Sequence, residues 1–106
     1  MQETSEVQFD LPANLKRKFE YVGGNVKITN EDIHFQAHAL NVQKQPLHIL
    51  MSEIIDVRPT KLFGIFSNGV KIELENQQDY TFVIGTPWSN QKKKVIDFLK
   101  ERQQIK

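Results

Sequence analysis

From Leu15 to Ile84 an apolar residue stands at nearly every second position, in short runs broken by turn residues. This period of two is what most constrains the fold, because successive strand residues point to opposite sides. A helix with such a pattern would scatter its apolar residues around the barrel, whereas a strand collects them on one face. In "FEYVGGNVKITNEDIHFQAH" (19–38) the alternation breaks at Gly23-Gly24 and at Asn30-Glu31. With Gly23-Gly24 as a two-residue hairpin turn, Tyr21 faces Val26 and Phe19 faces Ile28. With Asn30-Glu31 as the next turn, Ile28 faces Ile33 and Val26 faces Phe35. Lys18, Glu20, Lys27, Asp32, His34 and Gln36 then share the opposite, wet face.

Further along, a connection centred on Gln43 sets Ala37 against Ile49, Ala39 against Leu47, His38 against His48 and Phe35 against Met51. Pro46 sits near the start of the returning strand. After a break at Ser52-Glu53, "IIDVRP" is a fifth strand ended by Pro59, and "KLFGIFSNG" is a short strand or bent connection with a turn at Asn68-Gly69. In "VKIELENQQDYTFVIG" a turn centred on Gln77 pairs Leu74 with Tyr80, Ile72 with Phe82 and Val70 with Ile84. The period changes after Gly85. In "TPWSNQKKKVIDFLKERQQIK", Thr86 is an N-cap and Pro87 a first helical residue, while Trp88, Val95, Ile96 and Leu99 form one apolar stripe. Lys93, Asp97, Lys100 and Glu101 lie opposite.

The expected fold class is mainly β with one C-terminal helix: a bent antiparallel sandwich or barrel of about seven strands, capped by that helix. Residues 1–13 read as a polar lead-in, partly ordered, in which Val7, Phe9 and Leu11 form a short edge strand. Residues 14–106 form one domain, since 106 residues divided in two would bury too little.

Composition excludes several functions. There is no cysteine, hence no disulfide, thiol nucleophile or thiolate zinc site. Fourteen basic residues against 13 acidic ones give no overall pull toward nucleic acid, and basic residues are not interleaved with aromatics on one face. The acidic, polar start is no secretory signal, and no apolar run spans a bilayer. A cytoplasmic location, with peripheral membrane attachment as an extension, is expected. Gly-x-Ser-x-Gly, P-loop and dinucleotide motifs are missing, so a non-enzymatic role without cofactor is expected.

The order of "GGNVKITNEDIHF", "LMSEIIDV", "GVKIEL…YTFVI" and "PWSNQKKKVIDFL" resembles the GRAM domain, in the small single-domain form known from bacteria. This family belongs to the pleckstrin-homology-like superfamily. The matching positions are Gly24, Thr29, Asn30, Phe35, Glu53, Ile54, Tyr80, Phe82 and Trp88, within residues 14–102. The resemblance implies a helix-capped, seven-stranded bent sandwich and a binding role toward phosphoinositides or other anionic lipids, peptides or protein partners. Phosphoinositide-binding members resemble one another in a basic first hairpin loop. Here that loop reads as the short, uncharged Gly23-Gly24, and "LNVQKQ" adds only Lys44.

Docking of a protein or peptide at a sandwich edge or loop end is therefore the expected function, with peripheral binding of anionic lipid head groups as the alternative. A small enzyme on this scaffold is a third, weaker reading. For lipid the basic residues are Lys16, Arg17, Lys18, Lys44, Lys92, Lys93 and Lys94, worth roughly 1 kcal/mol each near an anionic surface. The bland reading is a solvated charged face. For a partner the patch is Leu40, Val42, Leu62, Phe63 and Phe66, which otherwise close the ends of the sandwich. His34 and His38 share a strand face but stand roughly 13 Å apart at about 3.3 Å per residue. His38 and His48 lie opposite each other, with no third ligand in view, so no metal is expected. Oligomeric state is not legible.

Overall fold

The computed structural model describes residues 6–17, 20–38, 46–62, 66–85 and 89–105. Seven strands are built: β1 Val7–Arg17, β2 Glu20–Thr29, β3 Asp32–Ala37, β4 Leu47–Leu50, β5 Ile54–Leu62, β6 Phe66–Leu74 and β7 Asp79–Ile84. A single 3₁₀ turn, Met51–Glu53, joins β4 to β5, and helix α1 runs Gln91–Ile105. The strands form one antiparallel sheet in the order β4-β3-β2-β1-β7-β6-β5, so β4 and β5 are its end strands. The sheet bends over a single core, and α1 packs against β5, β6 and the 3₁₀ turn.

From Val26 onward alternation does what the sequence requires of it; before the glycines the face is reversed, for Tyr21, expected inward opposite Val26, is exposed and Val22 is buried. Val26, Ile28, Ile33, Phe35, Ile49, Val57, Val70, Ile72 and Phe82 are all buried, and Lys27, His34 and Gln36 are exposed. The β2–β3 register is the expected one, with Ile28 opposite Ile33 and Val26 opposite Phe35. Thr29 fixes this turn. Its Oγ1 accepts from the backbone N–H of Glu31 and of Asp32, both at 3.1 Å, and donates to Asp32 Oδ1 at 2.7 Å. Val95, Ile96 and Leu99 of α1 are buried, while Lys93, Asp97, Lys100 and Glu101 face out. Phe98 meets Phe9 of β1 edge to face at 5.6 Å.

Other expectations are corrected. Gly23-Gly24 is no turn: it lies inside β2, opposite Asn14 and Ala13. The β1–β2 connection is residues 18–19, so Lys18 and Phe19 lie outside the described residues. Gly24 is there because neighbours come close. A Cβ on it would stand 2.7 Å from the Phe35 ring and 2.9 Å from Ala37 Cα. Ala13, Gly24 and Ala37 form a row of small residues across β1, β2 and β3, and the Phe35 ring lies over it. Val7, Phe9 and Leu11 do lie on a strand edge: residues 7–12 begin β1 and pair with β2, and only from Ala13 to Leu15 does β1 pair with β7 as well.

β3 and β4 pair four residues out of the expected register: Phe35 lies opposite Leu47, Ile33 opposite Ile49 and His34 opposite His48. β6 and β7 slip by two, with Val70 opposite Phe82 and Ile72 opposite Tyr80. The turn there is set by Gln77 at φ 75°, whose N–H bonds Leu74 O, and by Asn76 Oδ1, which accepts from the Gln78 N–H. Even slips leave the buried face unchanged. Pro59 does not end β5; it pairs opposite Val70, which an end strand tolerates because its outer side needs no ladder donor. Asn68-Gly69 lies within β6, not in a turn. The helix begins after Asn90, whose carbonyl accepts from Lys94 N–H, not at Pro87; Thr86, Pro87 and Trp88 lie outside the described residues.

Candidate functional site

The corrected β1–β2 pairing relocates the basic run Lys16-Arg17-Lys18. Instead of opening a first strand, Lys16 and Arg17 end one, at the first hairpin of the fold. Lys16 is exposed beside a recess of ≈ 370 Å³ lined by Lys16, Thr60, Lys71, Asp79 and Thr81. The sheet order explains the convergence: β1, β7, β6 and β5 are consecutive neighbours, and Lys71 stands opposite Thr81. Two lysines, two threonines and one aspartate thus line one concavity. Such a set suits a small anion with several acceptor oxygens.

The next cation on the same sheet is already engaged. Arg58 donates to Glu73 at 2.9 Å and to Asp56 at 2.5 Å, and these bonds, the Glu73 bond first, raise its pKa further. Of the remaining basic positions read from sequence, Lys92, Lys93 and Lys94 stand on α1 and line no part of this recess. Lys92 is half-buried, Lys94 is exposed, and Lys93 pairs with Asp97 at 2.9 Å. The Arg17 side chain is not described, and Lys18 and Lys44 lie outside the described residues. In the apolar patch, Leu40, Val42 and Phe63 also lie outside them; Leu62 and Phe66 fall within β5 and β6, and their side chains are not described. The large apolar residues seen exposed are others: Val7, Tyr21, Leu50 and Ile55, the last two at 43% and 52%. Leu50 and Ile55 bracket the 3₁₀ turn between the two end strands, where Leu50 N–H donates to Glu53 Oε1 at 3.1 Å.

A second polar cluster is built on the other arm of the sheet. Asp32 Oδ2 receives His48 Nε2 at 2.9 Å and His34 Nε2 at 3.2 Å, and the two imidazoles stack with centroids 4.2 Å apart. Burial alone would raise the Asp32 pKa, but bonds from Thr29 and His48 and the neighbouring His34 hold it below the usual value. Sequence reasoning paired His48 with His38 and so missed this group. The signal was there: Asp32 and His34 lie two apart, on one face of a strand.

Compared by sequence, the chain matches no family model and no curated protein. Solved structures match it closely in shape. The C-terminal domain of an unknown protein from Leishmania infantum superposes with a TM-score of 0.74 at 16% identity, covering 96% of this chain and 86% of that one. The N-terminal PH domain of human ARAP2 gives 0.71 at 14% identity, over 99% and 85% of the two chains. The Slm1 PH domain in complex with phosphoserine gives 0.69 at 15%, over 92% and 96%. The fold is therefore PH-like: a seven-stranded antiparallel sheet with one C-terminal helix. No described helix is long and apolar enough to cross a membrane.

Proposed function

We infer that this chain is a non-enzymatic binding module of GRAM type, within the pleckstrin-homology-like superfamily, and that it takes a phosphate-bearing anionic head group beside its first hairpin. The observation carrying this reading is the recess in which Lys16 and Lys71 converge with Thr60 and Thr81. Arg17 and Lys18 follow Lys16 in sequence and add to the local positive charge of the chain there. The superposed PH domain in complex with phosphoserine supports it as a fold-level precedent only. The reading carries a cytoplasmic site of action with peripheral attachment to an anionic membrane.

Co-sedimentation with phosphatidylserine vesicles, with and without a phosphoinositide, tests it. Binding should fall with salt. Changing Lys16, Arg17 and Lys18 to Gln should weaken it by about two orders of magnitude, at roughly 1 kcal/mol per basic group. Lys71→Gln should weaken it by a further factor of about five on the same basis. Binding that ignores Lys71, or no binding at low salt, removes the reading.

A second reading is docking of a protein or peptide at the sheet edge. The exposure of Leu50 and Ile55 at the junction of the two end strands favours it. End strands accept added strands, and exposed apolar pairs gain from being covered. Here Leu50→Asp with Ile55→Asp should abolish retention of host proteins on the immobilised chain, while the Lys and Arg changes leave it intact. Retention by the Asp variant equal to wild type refutes edge docking.

A further inference from the structure

The geometry points to a binding site for a borderline-soft divalent cation such as Zn²⁺, Co²⁺ or Ni²⁺, made by Asp32, His34 and His48 on the outer face of β3 and β4. The three residues offer one carboxylate oxygen and two imidazole nitrogens, all within 4.8 Å of one another. Their two N–O separations, 2.9 and 3.2 Å, lie close to the edge of a tetrahedron built on metal–ligand bonds of about 2.0–2.1 Å, which is roughly 3.3 Å. The two nitrogen–oxygen edges thus already have nearly the spacing that an ion would set.

The fold supplies this arrangement in three ways. The β3–β4 register sets His34 directly opposite His48, so their side chains stand on one face. Asp32 precedes His34 by two residues and shares that face. Thr29 Oγ1 holds Asp32 Oδ1 at 2.7 Å, which orients the carboxylate and leaves Oδ2 for the imidazoles. This is the kind of outer support that ligating carboxylates use. Both imidazoles are about half exposed, so an ion has an open path, and a fourth position is left to water or to a donor from a bound molecule. Two nitrogen donors and one oxygen select against Mg²⁺ and Ca²⁺, which prefer all-oxygen shells. Lys27 pairs opposite His34 on β2. A bound ion would clip the four-residue end strand β4 to β3.

The test is titration of the full chain with Zn²⁺ by calorimetry, with Co²⁺ as the spectroscopic probe. The expected result is one equivalent bound, a tetrahedral-type Co²⁺ visible spectrum, and a melting temperature that rises with Zn²⁺ and returns on adding EDTA. His34→Gln and His48→Gln should each weaken binding at least about tenfold, the loss already caused by outer-support changes at other sites. Each should also abolish the Zn²⁺-dependent melting shift, while far-ultraviolet dichroism keeps the wild-type trace. His38→Gln, which removes the one histidine outside the cluster, should bind as wild type does. No binding by the wild-type chain, or loss in His38→Gln with retention in His48→Gln, overturns the proposal.

Discussion

Replacing Gly24 by alanine adds one methyl group where β3 already stands. The added Cβ would lie 2.7 Å from Phe35 Cζ, 2.9 Å from Ala37 Cα, and closer still to Gln36 O. Two of these three atoms are backbone of the paired strand, which cannot rotate away as a side chain can. Overpacking of this kind costs about 1–3 kcal/mol, and rigid backbone neighbours push it to the upper end. Reduced freedom of the unfolded chain returns about 0.4–1 kcal/mol. The net loss is then about 2 kcal/mol by these two figures, or a melting point lower by roughly 8 °C for a domain near 100 residues. Urea unfolding followed by dichroism measures it. Gly23→Ala is the control, because its Cβ would meet only the Asn14 side-chain oxygen at 3.1 Å, and that side chain can move. It should change stability by less than about 0.5 kcal/mol, as ordinary surface substitutions do. Equal losses for the two variants would refute the close-approach account and favour a turn, where both glycines would be needed alike.

Three further outcomes are expected. Phe82→Ala, at a fully buried side chain whose ring lies 5.7 Å from that of Phe35, should cost about 3–5 kcal/mol in urea unfolding, whereas Ile55→Ala on the exposed face should fall below about 1 kcal/mol. Thr29→Val should cost about 1–2 kcal/mol in the same assay, because two backbone N–H groups lose their acceptor. Asp32 is held below its usual pKa, so its contribution is present above about pH 4 and fades as pH falls through the folded-state value. With chelator present, the stability gap between wild type and Asp32→Asn should therefore narrow below pH 4; His34 and His48 are the titratable groups bonded to it.

The basic run shows how one misread turn displaces a site. With Gly23-Gly24 as the first hairpin, Lys16-Arg17-Lys18 opened a strand, and the hairpin carried no charge. With β2 running unbroken from Glu20 to Thr29, the same run stands at the first hairpin, and Lys16 joins Lys71 across three strand neighbours. Lys71 could not have been linked to Lys16 by spacing, since 54 intervening residues separate them. The histidine cluster was nearer to view, because Asp32 and His34 are adjacent on one face, yet His48 belongs to it only through a register set elsewhere.

From Val26 onward the chain by itself determined sidedness. Alternation assigned Ile28, Phe35, Ile72 and Phe82 to the interior, and a three-to-four spacing assigned Val95, Ile96 and Leu99 to the inner stripe of the helix. These are local matters of geometry, and pairing slips by two or four residues leave them untouched. Which strand residue meets which was decided only in the folded molecule. A glycine pair satisfies a turn and a crowded strand equally well until a neighbouring backbone arrives, and β3 arrives at Gly24. Partner identity depends on contacts between segments distant along the chain, so the recess of Lys16 and Lys71 and the cluster of Asp32, His34 and His48 exist only once the sheet has closed around its core.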